Sequence, residues 1–353
     1  MRDLYALIIA GGRGTRFWPC SRRNRPKQCL SLGGQESYLR QTIERLLPLL
    51  PAERILVITG EDMAEAVREV CGPVPKDNVL VEPWGRNTAP CIGWGAVEAG
   101  RRSTNPILAV FPSDHQIGDP EEFRSIVSGA AGAAKSTNAL VTIGITPTRA
   151  ETGFGYLEVG TDVGSWGGRD FKTVERFTEK PDPATAQRYL EGKRHLWNAG
   201  MFVFTTDAIR DAYRAYLPRS AEALERIQHN PSLLREQWGE LDATSIDYGI
   251  MERSRHILTV PADFGWSDMG TWGAAAEEMP RIPGGRGTAA HVVATDSQGN
   301  VVHVPEKLVA LIGVKDLVIV DTEDALLVMD ASRAQQVGDV VRRLDSDDLS
   351  HFT

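Results

Sequence analysis

The sequence predicts an α/β fold, a Rossmann-like mixed but mostly parallel sheet flanked by helices, followed by a small β-helix-like domain. Up to about residue 150, short apolar runs alternate with patterns of helical period, which is typical of βαβ units. The apolar runs carry hydrophobic side chains on both faces, as expected for strands covered by helices on both sides of a sheet. Beyond residue 287, closely spaced strand patterns follow one another without helices between them.

The predicted strands of the first part are 4–10, 55–59, 79–82, 107–111 and 140–145. The helices predicted between them are 38–47, 62–70, 88–100 and 121–134. Residues 153–180 read as glycine-punctuated strands, and Pro183 starts a helix because its fixed φ suits the first turn. Helical segments are predicted from there to about Trp238, as a second wall over the sheet.

The glycines of residues 283–287 predict a flexible linker between two domains. After it, the predicted strands are 292–295, 300–304, 308–314, 317–321 and 325–329, with a closing helix at 332–344. We therefore expect a larger domain at 1–283, with halves of about 1–150 and 151–283, and a small domain at 290–353.

Composition indicates a packed cytoplasmic enzyme. The 353 residues are 42% hydrophobic and 24% charged, close to globular averages, and the net charge of −8 argues against general nucleic-acid binding. The four cysteines form no C-x-x-C pair, which is typical of reduced thiols. The apolar run at 4–10 is too short to span a membrane or to serve as a signal peptide, so no membrane association is expected.

A glycine-rich loop follows the first predicted strand. Its members are Gly11, Gly12, Arg13, Gly14, Thr15 and Arg16. Glycines let backbone N–H groups approach an anion closely, so a nucleoside triphosphate is the expected guest. The loop matches neither a P-loop nor the dinucleotide fingerprint, and by itself it is equally compatible with a simple turn. Lys27, held after Pro26, strengthens the phosphate interpretation because it can meet the charge that builds on an α-phosphate.

The run AGGRGTRFWPCSRRNRPKQ resembles the signature of the sugar-1-phosphate nucleotidylyltransferases, and within them the mannose-1-phosphate guanylyltransferase family. Similar motifs follow in order: EPWGRNTAP at 82–90, FPSDH at 111–115, GFGY at 153–156, EKP at 179–181, NAGMF at 198–202 and GWSDMG at 265–270. The resemblance covers about residues 4–275, and the tail is similar to the family's short left-handed β-helix. Cys29 departs from the pattern, which usually has an aromatic residue there. The isomerase domain of longer relatives is not present, so one activity is expected.

The resemblance implies a catalytic set of Arg16, Lys27 and Asp114. It also implies that Asp114 and Asp268 bind Mg²⁺ or another divalent cation, since two carboxylates and phosphate oxygens are the usual ligands of this hard ion. Taken singly, Asp114 and Asp268 could instead stabilise their own turns.

Two further sets follow from the resemblance. The sugar phosphate is expected at Gly155, Tyr156, Glu179, Lys180 and Asn198. The nucleotide is expected at residues 11–16 and, for the base, at Glu82, Arg86, Asn87 and Thr88. On sequence alone, Glu179 and Lys180 could be a solvated charge pair, and Asn87 or Thr88 could merely cap the helix that begins there.

The expected reaction transfers GMP from GTP to α-D-mannose 1-phosphate, giving GDP-mannose and pyrophosphate, and a homodimer is the expected assembly. The nearest alternative is the same chemistry on another sugar 1-phosphate or nucleotide. A regulatory nucleotide-sugar sensor is disfavoured because Arg16, Lys27, Asp114 and Asp268 are all present. A dinucleotide-dependent oxidoreductase is disfavoured by the missing third glycine.

Overall fold

A computed structural model describes residues 3–32, 36–277 and 279–353. The strands within them are β1 Leu4–Ile9, β2 Ile55–Gly60, β3 Val79–Glu82, β4 Ile107–Pro112, β5 Gln116–Ile117, β6 Leu140–Ile145, β7 Tyr156–Trp166, β8 Arg169–Thr178, β9 His195–Thr205, β10 Ile257–Ala262, β11 Trp266–Ser267, β12 Arg281–Ile282, β13 Gly285–Thr295, β14 Asn300–Ile312, β15 Leu317–Asp321 and β16 Leu326–Asp330. The helices are α1 Tyr38–Leu46, α2 Ala64–Val70, α3 Thr88–Arg102, α4 Pro120–Thr137, α5 Pro183–Gly192, α6 Thr206–Tyr216, α7 Pro218–His229, α8 Leu234–Trp238, α9 Trp272–Glu277 and α10 Val337–Ser346.

The main sheet has the strand order β3-β2-β1-β4-β9-β6-β10-β8-β7. Strands β3, β2, β1 and β4 are all parallel, with Leu7 of β1 opposite Leu56 and Val110. Strand β9 runs antiparallel to both β4 and β6, so the sheet is mixed. The carboxyl ends of β1, β3 and β4 therefore meet at one edge, where ligands bind in open sheets of this kind.

Helices cover both faces of this sheet, which confirms the predicted α/β class. Side chains alternate along β1, so Leu4 and Ile8 enter one hydrophobic core and Leu7 enters the other. Helices α1, α2 and α4 pack in the first core, whereas α3, α6 and α7 pack in the second. The buried apolar run of β1 follows directly from this double coverage.

The prediction of helical segments from Pro183 to about Trp238 is confirmed for α5, α6, α7 and α8, but it missed a strand between α5 and α6. Residues His195–Thr205 form β9, an eleven-residue strand in the middle of the sheet. Phe204 pairs with Leu108 of β4, and Val203 pairs with Val141 of β6. These partners lie far away in the sequence, and their pairing fixes the strand.

The predicted linker at 283–287 is also wrong. Gly284, with φ 79°, turns the hairpin between β12 and β13, and Gly285 and Gly287 belong to β13. A Cβ atom on Gly287 would lie 1.7 Å from the carbonyl oxygen of Val302. These glycines therefore permit close strand packing rather than flexibility.

The C-terminal module (residues 281–353) is β-helix-like. Strands β13, β14 and β15 pair in parallel through connections of a few residues, and β16 adds an antiparallel edge. Its core continues into the main domain, because Val318 and Val337 pack in one cluster with Phe17, Trp18 and Trp272. Among the described residues, no helix is both long and apolar enough to cross a membrane.

Candidate active site

Two adjoining cavities open at the carboxyl edge of the sheet. The first, about 460 Å³, is called the loop cavity because residues of the glycine-rich loop line it. The second, about 280 Å³, is called the β9 cavity because Asn198, Ala199 and Gly200 of β9 line it. The cavities share Ile9, Thr88, His115 and Asp268 as lining residues. A ligand in one cavity therefore lies next to a ligand in the other.

The glycine-rich loop leaves its backbone open to the loop cavity. Gly11, Gly12 and Gly14 line the cavity together with Arg16. Gly14 has φ 65°, and a Cβ atom there would lie only 2.2 Å from the Cβ of Lys27. Glycine is thus required at this position both by the left-handed backbone and by the neighbouring lysine.

Lys27 is buried at the floor of the loop cavity. It begins a short 3₁₀ turn, Lys27–Cys29, after Pro26. Its Nζ donates hydrogen bonds to Asp114 Oδ2 at 2.7 Å and to the Asp268 carbonyl at 3.2 Å. The ring of Phe17 lies 5.1 Å from the ammonium and adds a cation–π contact. The buried charge is therefore paired and held in one place.

Asp114 follows β4 at the sheet edge and is ionised in this environment. Burial alone would raise its pKa, but the Lys27 ammonium and His115 outweigh burial, so the pKa lies below the ordinary value. His115 is different, because burial lowers its pKa to about 4 despite the nearby Asp114 and Asp268. Trp266 Nε1 donates to His115 Nδ1 at 3.1 Å, which leaves a neutral ring at neutral pH.

Asp268 both shapes its turn and lines the two cavities. Its Oδ1 accepts a hydrogen bond from the Gly270 N–H at 3.2 Å, as the turn-stabilising alternative required. The same carboxylate lines both cavities, and its backbone carbonyl contacts Lys27. Within residues 3–32, 36–277 and 279–353, no three His, Cys, Asp or Glu side chains form a ready-made metal cage.

A hydrogen-bond network fixes the polar residues of the β9 cavity. Asn198 Oδ1 accepts from the Thr142 hydroxyl at 2.9 Å, and its Nδ2 donates to Asp247 Oδ1 at 3.0 Å. Asp247 begins a π-helical turn, Asp247–Met251, a form that is frequent at functional sites. Asp247 was not predicted from the sequence, since it lies in no recognisable motif and reaches the cavity only through this turn.

Glu179 and Lys180 lie at the rim of the β9 cavity with unequal exposure. The Glu179 side chain is 10% exposed and the Lys180 side chain 57%, with 3.5 Å between Oε1 and Nζ. Burial, together with the charge of Asp247, raises the pKa of Glu179 to about 7. This exposure is not that of a solvated charge pair, because the carboxylate is turned inward.

Glu82 ends β3 beside the glycine-rich loop. Its side chain is buried, and burial raises its pKa, although a hydrogen bond from the Cys91 thiol opposes the shift. Cys91 Sγ donates to Glu82 Oε2 at 3.2 Å. The other carboxylate oxygen faces Gly11, where an added Cβ would lie 3.5 Å away. A carboxylate acceptor thus lines the loop cavity.

The remaining base candidates have structural partners. Asn87 caps α3 and accepts a hydrogen bond from the Thr88 N–H at 2.9 Å. The Thr88 hydroxyl accepts from the Ile246 N–H at 2.9 Å. Both residues also line the loop cavity, so their capping or bridging roles and their exposure to a ligand coexist.

Four predicted site residues do not line either cavity. Arg13 forms an ion pair with Asp62 at 3.1 Å, and Arg86 Nε donates to the Leu241 carbonyl at 2.9 Å. Thr15 lines a separate small cavity together with Trp18. Tyr156 is fully buried, with its hydroxyl bonded to the Glu151 carbonyl, so it is not a wall of the β9 cavity. That wall is aromatic nonetheless, being formed by Phe154 and Trp266.

The fold and the paired charges at the sheet edge define a nucleotidyltransferase. Residues 5–283 match the family model described as nucleotidyl transferase, and residues 290–344 match the MannoseP isomerase/GMP-like β-helix domain. The chain belongs to this nucleotidyl transferase family and, within it, to the group of the mannose-1-phosphate guanylyltransferases.

Similar proteins support this placement. The xanthan biosynthesis protein XanB of Xanthomonas campestris pv. campestris is 38% identical over all of this chain and 76% of its own length. The mannose-1-phosphate guanylyltransferase of Salmonella muenchen is 38% identical over 97% of this chain and 73% of its own. The crystal structure of mannose-1-phosphate geranyltransferase from Thermus thermophilus is 36% identical, with a TM-score of 0.89 over 97% of this chain and 99% of that one.

Proposed function

We propose that the protein transfers GMP from GTP to α-D-mannose 1-phosphate and releases pyrophosphate and GDP-mannose. One observation carries the proposal: Lys27, Asp114 and Asp268 cluster where the loop cavity meets the β9 cavity. A triphosphate along the loop would present its α-phosphorus at this junction. A sugar phosphate in the β9 cavity would then lie beside it.

The reaction is an in-line displacement at the α-phosphorus. A phosphate oxygen of mannose 1-phosphate attacks, and pyrophosphate leaves on the opposite side. The nucleophile is already anionic at neutral pH, so positioning and charge stabilisation supply the catalysis. Lys27 contacts the α-phosphate, and Arg16, which lines the loop cavity, contacts the outer phosphates.

The carboxylates of Asp114 and Asp268 suit Mg²⁺, although another divalent cation would fit the same donors. Mg²⁺ commonly takes one or two carboxylates and completes its shell with substrate phosphates and water. Two carboxylates, without a third protein ligand in the part of the chain that the structure describes, match this coordination preference. When bound, the ion neutralises charge on the phosphates. The Lys27 ammonium holds Asp114 ionised and oriented.

Guanine is read by Glu82 in this proposal. The Watson–Crick edge of guanine presents N–H donors, and a buried carboxylate beside Gly11 is a matching acceptor. Asn87 and Thr88 lie at the cavity wall, where a base could contact them. The positions of Arg86, Arg13 and Thr15 argue against direct contacts from these three side chains.

The sugar phosphate is bound in the β9 cavity. Glu179 accepts hydrogen bonds from sugar hydroxyls, Lys180 pairs with the phosphate, and Asn198 is held in place by Thr142 and Asp247. A Cβ on Gly155 would lie 2.5 Å from Glu179 Oε2, so any larger residue there would displace this carboxylate. The aromatic wall of this cavity suits the apolar face of a sugar ring.

We propose a cytoplasmic homodimer that assembles through the C-terminal module. Its outward sheet face exposes Val293, Leu308 and Ile312, and Ile312 is 76% exposed. Exposed apolar rows of this kind mark contact surfaces. Ile312→Glu should convert a dimer to a monomer in light scattering, whereas Lys315→Glu should not. A monomeric wild-type protein would overturn the assembly.

Pyrophosphate release with each NTP and a panel of sugar 1-phosphates plus Mg²⁺ tests the reaction. The expected result is release with GTP and mannose 1-phosphate, and little with ATP or glucose 1-phosphate. Activity only with another pair would overturn the substrate assignment and keep the class of reaction. No release with any pair would overturn the enzyme assignment.

A further inference from the structure

A side chain of the C-terminal module contacts the arginine of the glycine-rich loop. Arg16 Nη1 donates a hydrogen bond to Gln335 Oε1 at 3.4 Å. Gln335 belongs to the 3₁₀ turn Ala331–Gln336, between β16 and α10. The two residues are 319 positions apart in the sequence. The loop cavity is therefore approached from a second structural module.

The turn that carries Gln335 is fixed in position. Asp330 caps it by accepting hydrogen bonds from the Ser332 N–H at 2.8 Å and from the Ser332 hydroxyl. Ala334 and Val337, which precede and follow Gln335 in the chain, are buried, and Val337 packs in the cluster that contains Phe17. Because buried residues precede and follow it, the backbone of Gln335 has little freedom to move, although its side chain is exposed.

The segment that follows Arg16 is tied to the same module. Trp18 Nε1 donates to the Phe352 carbonyl at 2.7 Å, and Arg22 forms an ion pair with Asp324 at 2.7 Å. At α10, a Cβ on Gly338 would lie 3.6 Å from the Thr15 hydroxyl, which is ordinary contact. Arg16 thus lies between Thr15 and Trp18, two residues that are close to the C-terminal module.

We propose that Gln335 is a positioning residue that orients the Arg16 guanidinium toward the triphosphate, so that the C-terminal module completes the loop cavity. The inference rests on the proposed role of Arg16. A neutral amide suits this task, because it orients a guanidinium without neutralising the charge that the phosphates need. A guanidinium oriented before the substrate arrives also loses less freedom on binding.

A double-mutant cycle between Arg16→Ala and Gln335→Ala tests the proposal, with kcat/KM for GTP as the readout. Gln335→Ala should lower this value by roughly 5- to 10-fold in the presence of Arg16, the loss expected for one ordinary hydrogen bond at an exposed site. In the Arg16→Ala background the same change should have almost no effect, because its target is gone.

Gln336→Ala is the matched control. Its amide oxygen accepts from Arg333 at 2.7 Å and not from the loop, so the expected change in kcat/KM is under about 2-fold. Gln335→Glu should be worse than Gln335→Ala, because a carboxylate pairs with Arg16 and competes with phosphate. Thermal unfolding of each variant shows whether it is folded.

The outcomes separate the two levels of the proposal. A large loss in Arg16→Ala with additive or absent effects of Gln335→Ala overturns the positioning role and leaves the proposed function intact. An unchanged kcat/KM in Arg16→Ala overturns the proposed role of Arg16 and the inference with it. Equal losses in Gln335→Ala and Gln336→Ala also contradict the inference, since they indicate a general effect of the turn.

Discussion

The pKa of Asp114 in the loop cavity and the pKa values of Glu179 and Asp247 in the β9 cavity are shifted in opposite directions. In the loop cavity, Lys27 and Asp114 are 2.7 Å apart, and the pair keeps the Asp114 pKa below its ordinary value. In the β9 cavity, Glu179 and Asp247 are close carboxylates, and burial raises the pKa of both. Asp114 in the loop cavity is therefore ionised before a substrate binds, whereas the charge of Glu179 in the β9 cavity depends on pH.

This difference has a physical reason in the ligands. In the proposed reaction a cation is needed beside the reacting phosphorus, and the paired Lys27 is placed to supply it. Sugar hydroxyls need hydrogen-bond acceptors, and an inward-facing carboxylate supplies these at the cost of desolvation. The experiments below probe the contrast.

Replacing Lys27 should give the largest effect. Lys27→Ala is expected to lower kcat by ~10³-fold and to weaken GTP binding by less than ~10-fold, because the ammonium acts mainly on charge that develops in the transition state. Single-turnover rates and equilibrium GTP binding measure the two effects. Arg25→Ala, which removes a nearby exposed charge, serves as the control. Comparable losses in rate and binding would contradict a transition-state role.

The second-largest effect is expected from adding one methyl group to the glycine-rich loop. Gly14→Ala places a Cβ 2.2 Å from the Lys27 Cβ at a positive φ, so kcat should fall by ~10²-fold and the melting temperature should drop. Gly12→Ala meets no atom within 4 Å, so its melting temperature should not change and only its KM for GTP should rise. Equal melting temperatures for both variants would contradict a steric clash between the added Cβ at position 14 and Lys27.

Neutralising Glu179 should affect the other substrate. Glu179→Gln is expected to raise the KM for mannose 1-phosphate by ~10-fold through loss of a charged acceptor, with the KM for GTP unchanged. Glu175→Gln, a change on the exposed part of β8, is the control. A parallel increase in both KM values would show that the cavities are not separate.

The same variant has a stability signature. The folded pKa of Glu179 is about 7, above its ordinary value, so the stability linked to this group is present at low pH and is lost as pH rises through 7. Glu179→Gln should therefore be more stable than the wild type at pH ~8, by at most about 3 kcal/mol, and equal to it at pH ~4. Chemical denaturation at the two pH values measures the difference. Lower stability of the variant at pH ~8 would contradict the view that burial of the Glu179 charge outweighs its pairing with Lys180.

The smallest expected effect is the pH dependence of the wild-type enzyme. As pH rises through about 7, Glu179 ionises and becomes a better acceptor, so kcat/KM for mannose 1-phosphate should increase a few-fold. GTP binding should change little from the protein side, because Asp114 is already ionised and His115, with a pKa of about 4, is already neutral. Glu179→Gln corrects for ionisation of the sugar phosphate itself. An identical slope in that variant would assign the pH dependence to the substrate.

The local sequence pattern was sufficient to predict a strand wherever burial on both faces of the sheet requires a continuous apolar run. The predicted strands 79–82 and 140–145 coincide with β3 and β6, and the predicted helix 88–100 falls within α3. Strand β9 could not be recognised in this way, because its partners in β4 and β6 are distant in sequence and decide its conformation. The glycines within 283–287 predict flexibility from their sequence alone. Their close contacts with β14, which require glycine, exist only in the folded chain.

The sequence by itself determined the α/β class and the glycine-rich loop, and its short motifs predicted Lys27, Asp114 and Asp268 as site residues. Only the tertiary structure decided which side chains reach the cavities. It turned Tyr156 and Arg86 away from the cavities, placed Asp247 in the β9 cavity through a π-helical turn, and brought Gln335 of the C-terminal module against Arg16. The reason is physical: motifs constrain the local backbone, whereas a cavity wall is assembled from segments that packing alone brings together.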